Sequence, residues 1–135
     1  GIIQLPPLDK AKKHPLVFSG NLSVPRTFSV FEAFLQSKLG QKPFSIKGRS
    51  NKIKSIAWCS GAAQGFIELA VESGVDAYLT GEVSEQTVHI ARESGIHFFA
   101  AGHHATERFG VRALGEYLAT KHSIVHTFVD IPNPI

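Results

Sequence analysis

Methionine is missing from this sequence of 135 residues, and cysteine and tryptophan occur once each. One cysteine cannot form an internal disulfide and fits a reducing compartment, so a cytoplasmic protein is expected. No apolar run approaches the roughly 20 residues that a membrane helix requires, and no membrane partner is expected. A basic stripe interleaved with aromatics is also absent. The formal net charge of +3 comes with scattered lysines, clustered only at Lys10, Lys12 and Lys13, so nucleic acid is a poor fit. Without methionine the first residue is not an initiator. The apolar opening Gly1-Ile2-Ile3-Gln4-Leu5-Pro6-Pro7 leaves two expectations, the continuation of something longer or a trimmed amino terminus.

What is present is an ordinary globular composition, 43% apolar and 19% charged, in a chain long enough to bury a core. Residues 1–15, with their prolines and lysine cluster, read as a linker or surface arm, and 16–135 as an α/β unit. Leu16-Val17-Phe18 reads as a short strand stopped by the turn signal Ser19-Gly20-Asn21. A helix is predicted after Pro25. Its features are a Ser29/Glu32 capping box, Phe28, Phe31 and Leu35 on one face, and Gly40 as a left-handed stop. A short strand is expected at 44–46. From residue 52, strands at 53–59, 77–79, 96–101 and 124–131 alternate with three helices. The last helix, to about Thr120, is expected to bury Val111, Leu114 and Leu118. This rhythm predicts an α/β fold, a largely parallel or mixed sheet flanked by helices.

Parallel strands joined by crossovers end at one edge, and ligands of open α/β sheets bind outside it. Three strand-end loops meet there: 60–65, Thr80-Gly81-Glu82 and Gly102-His103-His104. This rim is the expected functional edge. If a helix starts at or just before His104, Glu107 lies one turn beyond the histidines, and residues three and four apart share a face. Imidazole plus carboxylate suits zinc, iron, manganese or nickel. The bland reading is a helix start with a favourable acidic residue, and spacing alone does not choose between His103 and His104. Two ligands are not a site, and a metal there needs further carboxylate or an anionic substrate. Glu82 stands open as ligand, acid/base or, the favoured reading, solvated loop carboxylate. Glu85 and His89 read as a surface pair, His97 as a satisfied core histidine and Cys59 as buried and inert. The 60–65 loop precedes a helix, an arrangement that binds phosphate through backbone N–H groups, but it lacks G-x-G-x-x-G and the P-loop lysine.

Four blocks together are far more specific than H-x-x-x-E: Ile56-Ala57-Trp58-Cys59-Ser60-Gly61, the run Asp76 to Thr87, the run Ala100 to Arg108, and Asp130-Ile131-Pro132-Asn133-Pro134. They closely resemble the NIF-three-like family, whose members are often labelled GTP cyclohydrolase I type 2 homologues, and its bacterial YbgI-type branch in particular. The resemblance implies a dinuclear metal centre of two divalent ions, with His103 and Glu107 as its carboxy-terminal ligands. It places the remaining ligands, a His-His pair and an aspartate, in an amino-terminal half that this sequence does not show. It further implies a ring-shaped homohexamer with metal sites facing an inner cavity. The activity expected from the family label is metal-dependent hydrolysis of a small nucleotide-like or phosphorylated substrate. The alternative is a non-enzymatic metal-binding assembly or regulatory interaction protein.

Overall fold

A computed structural model describes residues 2–8, 16–131 and 133. Six strands form one mixed sheet in the order β1-β2-β4-β5-β6-β3. They are β1 (Ile2–Leu5), β2 (Phe18–Arg26), β3 (Phe44–Ile46), β4 (Ile53–Trp58), β5 (Ala77–Thr80) and β6 (His97–Ala100). The centre, β4-β5-β6, is parallel, while β1, β2 and β3 pair antiparallel. Helices α1 (Phe28–Leu39), α2 (Ile67–Glu72), α3 (Glu85–Ser94) and α4 (His103–His122) connect or follow the strands. The mixed α/β fold expected from the sequence is therefore present.

Both sheet faces are covered, which is why the central strands read as continuous apolar runs. Successive strand residues point to opposite faces. Phe98 enters the core formed with Ile67, Ala70 and Ala91 of α2 and α3. Phe99 enters the core formed with Phe31 and Leu35 of α1. Phe99 sits edge-on to Phe31 at 5.2 Å and stacks on Phe28 at 5.3 Å. As expected, α1 stops at Gly40 with φ 83°. Ser84 caps α3 by accepting from Thr87 N at 3.3 Å.

Four local readings change. Ser19-Gly20-Asn21 does not end a strand, because β2 continues to Arg26 and pairs with β1 on one side and β4 on the other. Pairing on both sides overrides the local turn signal, and Pro25 falls where the β2–β4 register shifts, a place that tolerates its missing N–H. The cap of α1 is Thr27 rather than Ser29, and Glu32 accepts instead from the Ser45 hydroxyl. The region 1–15 contributes the edge strand β1, whereas residues 9–15, with the lysine cluster, lie outside the described residues. No strand forms at 124–131. A strand needs a neighbouring backbone for its N–H and C=O groups, and this run returns along α4, His126 approaching Gly115 and Asp130 reaching Arg108.

The helix that carries the candidate ligands departs most from expectation. Ala105 is the one buried residue of α4. Val111, Leu114 and Leu118 are exposed at 64%, 56% and 37%, so the apolar stripe predicted to be buried faces outward.

Candidate metal centre

The sheet ladder runs on past the strand ends and fixes the three loops against one another. Cys59 N donates to Leu79 O, Gly81 N to Gly61 O at 3.0 Å, and Gly102 N to Gly81 O at 2.9 Å. Thr80 Oγ1 also donates to Gly61 O. The convergence expected of the carboxyl edge is thus a backbone lattice. Close approach makes glycine necessary at two places. A Cβ on Gly81 would lie 2.7 Å from Gly61 O and 2.9 Å from His103 Cα. Gly102, at φ 96°, is in a region side chains rarely adopt, and a Cβ there would overlap the Gln41 amide.

From that rim α4 starts at His103, within the start that the sequence pattern allows. Thr106 N closes the first turn on Gly102 O at 3.0 Å, and Thr106 Oγ1 accepts from Gly61 N at 3.1 Å, tying the helix to the 60–65 loop. One turn apart, His103 Nε2 and Glu107 Oε2 are 3.0 Å from each other. On the other edge of the ring, His103 Nδ1 lies 2.5 Å from Glu82 Oε1. The hydrogen bond to Glu82, joined by Glu107, raises the His103 pKa above its usual 6.5. His104 turns away and pairs with Asp130 at 2.7 Å, while Arg108 reaches the same carboxylate at 2.8 Å. His104 with Arg108 holds the Asp130 carboxyl below the usual aspartate range.

The donor set fits a divalent ion. At bond lengths of about 2.0–2.2 Å to histidine nitrogen and carboxylate oxygen, two ligands of one ion stand roughly 3.0–3.4 Å apart. The bare backbone of Gly61 faces the same pair, since a Cβ there would overlap Glu107 Oε1 and lie 3.3 Å from His103 Nε2. Among the described residues, no group of three or more His, Cys, Asp or Glu side chains converges to hold an ion. The described residues bring two donors, His103 and Glu107, to one point. In front of them opens a cleft of about 680 Å³ lined by His103, Glu107, Arg108, Val111 and Phe128.

The other candidates separate clearly. Glu82, favoured from sequence as a solvated loop carboxylate, is instead bound to His103. Its position directly after a strand end was the only signal. The 60–65 loop does not form an anion cradle at Gly61 and Ala63, whose N–H groups turn to Thr106 and to Gly61 O. His97 is fully buried and its ring nitrogens are engaged by Gly48 and Ser50, as expected of a core histidine. Cys59 is half-buried rather than buried. Glu85 and His89 make no ion pair.

A family model for Duf34/NIF3 (NGG1p interacting factor 3) matches residues 1–134, and the chain belongs to this family. The GTP cyclohydrolase 1 type 2 homolog of Pseudomonas aeruginosa is 52% identical over 128 residues, which cover 95% of this chain and 50% of that protein. The homolog of the same name from Haemophilus influenzae is 47% identical over 134 residues, 98% of this chain and 53% of the relative. A solved structure described as protein ybgI, of unknown function, superposes with a TM-score of 0.92 at 45% identity, covering 100% of this chain and 53% of that one. TTHA1606 from Thermus thermophilus superposes with a TM-score of 0.82 at 25% identity, over 100% of this chain and 52% of that one. The chain therefore spans about half the length of the curated relatives it matches.

Proposed function

We propose that the protein takes part in a dinuclear metal centre and acts as a metal-dependent hydrolase on a small nucleotide-like or phosphorylated substrate. The observation that carries this reading is the 3.0 Å approach of His103 Nε2 and Glu107 Oε2 at the carboxyl edge of the sheet. His103 and Glu107 would hold one side of a zinc, iron, manganese or nickel ion. The remaining ligands would come from the half of the relatives that this chain does not match. The names of the relatives, GTP cyclohydrolase 1 type 2 homolog, support a nucleotide-like substrate. When bound, a divalent metal supplies a water of lowered pKa and polarises a carbonyl or phosphoryl oxygen.

This chain's own contribution is position. The helix spacing sets imidazole and carboxylate side by side, and Gly61 leaves the space in front of them clear. Arg108 and His104 hold Asp130 so that the returning chain walls the cleft. The test is turnover of nucleotides and phosphoesters by the metal-loaded complete gene product. Glu107→Gln is expected to abolish turnover while the thermal melting profile stays near wild type, and undiminished turnover would contradict the reading.

A second reading, a metal-binding assembly or interaction protein organised as a homo-oligomeric ring, is favoured by the exposed apolar face of α4. On that reading no substrate is turned over, and Glu107→Gln keeps its binding partners.

A further inference from the structure

We propose that Glu82 is the positioning residue of His103: its carboxylate holds the ring through Nδ1, so that Nε2 is turned to the point it shares with Glu107. The inference rests on the reading that His103 and Glu107 hold metal, and it adds a residue that the ligand pattern does not contain.

A carboxylate only accepts hydrogen bonds. Glu82 Oε1, 2.5 Å from Nδ1, therefore needs a proton on Nδ1. Glu107 Oε2, 3.0 Å from Nε2, needs one on Nε2 as long as no metal takes its place. A metal at the point Nε2 shares with Glu107 would replace only the Nε2 proton, and the Nδ1–H would stay on Glu82 and keep the ring in place.

The anchor is itself fixed. Glu82 follows Gly81, whose N–H and C=O are both engaged, to Gly61 and from Gly102. A Cβ on Gly81 would lie 2.9 Å from His103 Cα, so the loop approaches the helix start as closely as a backbone allows. Glu82 and His103 thus descend from adjacent strand ends, β5 and β6, whose spacing is set by the sheet. Glu82 is not a ligand of the ion at Nε2, because it lies against the opposite edge of the ring from Glu107. Histidines that bind metal commonly donate their second N–H to a carboxylate, and removing that partner typically weakens binding by about 10–100-fold.

The experiment uses the complete gene product, zinc as the probe, chelator competition for affinity, and ¹H–¹⁵N NMR of the His103 ring in the zinc-loaded protein for the Nδ1–H hydrogen bond. Glu82→Ala is expected to bind the same number of zinc ions at saturation with affinity lowered about 10–100-fold, and to lose the downfield, exchange-protected Nδ1–H resonance. Glu82→Gln, which keeps an acceptor oxygen, is expected to fall between wild type and Glu82→Ala. It carries the test alone if the alanine variant does not fold. Wild-type affinity and an unchanged Nδ1–H resonance in the variants would overturn the proposal. So would a zinc ion lost at saturation, which would make Glu82 a ligand. Glu107→Ala separates the two claims. If it retains every zinc ion, the metal reading fails, whereas if it loses one while Glu82→Ala binds as wild type, only the positioning role fails.

Discussion

His97 opens β6 and His103 opens α4 just beyond its other end, and the two live in opposite electrostatic settings. At His97, Nδ1 accepts from Gly48 N at 2.8 Å, so the neutral ring carries its proton on Nε2, where Ser50 O lies at 3.0 Å. Burial lowers its pKa from 6.5, outweighing the opposing backbone hydrogen bond to Ser50. The unfolded chain regains a value near 6.5 and then binds more protons than the folded one, so stability rises with pH across this window. The contribution is complete above pH ~6.5 and is lost as pH falls towards the lower folded value. Urea unfolding on either side of that pH should show it, with a shallower decline in His97→Gln. An equal decline in both proteins would assign the acid sensitivity elsewhere. At His103 the neighbours are carboxylates and the shift is upward. Sequence shows both histidines at the margins of an apolar run, but only the fold supplies their partners.

At the scale of elements, local signals succeeded where one helix or strand decides its own ends. Ser84 and Gly95 bracket α3 as their residue types dictate, and Ser84→Ala should cost about 1 kcal/mol in chemical denaturation. Phe99, buried between α1 and its neighbours, is a firmer post. Phe99→Ala should cost about 3–5 kcal/mol, and a loss under about 1 kcal/mol would mean the site collapses without a cavity. The β4-α2-β5-α3-β6 core was legible because its strands are covered on both faces and its loops carry strong stop signals. The rest was not, because it depends on partners. Gly20 reads as a turn until strands flank it on both sides, and 124–131 reads as a strand although no neighbour pairs with it. Glu82 was misread for the same reason, since its meaning comes from a histidine 21 positions away.

For the whole molecule, the notable surface is α4. On α4, Val111, Leu114 and Tyr117 are all more than half exposed among the described residues, and exposed apolar patches of this kind mark interaction sites. The chain also spans about half of its relatives' length. On the homo-oligomer reading, sedimentation of the complete gene product should show an assembly. Val111→Asp with Leu114→Asp should shift it to smaller species, and an unchanged distribution would assign the face to contacts within one chain. The same helix bears the candidate ligands on its first turns, so site and surface share one element.

Counting metal tests the central claim most directly. The complete gene product, loaded with zinc and freed of excess, should lose bound metal in both His103→Ala and Glu107→Ala by elemental analysis, with circular dichroism unchanged. Full metal content in either variant would contradict the account.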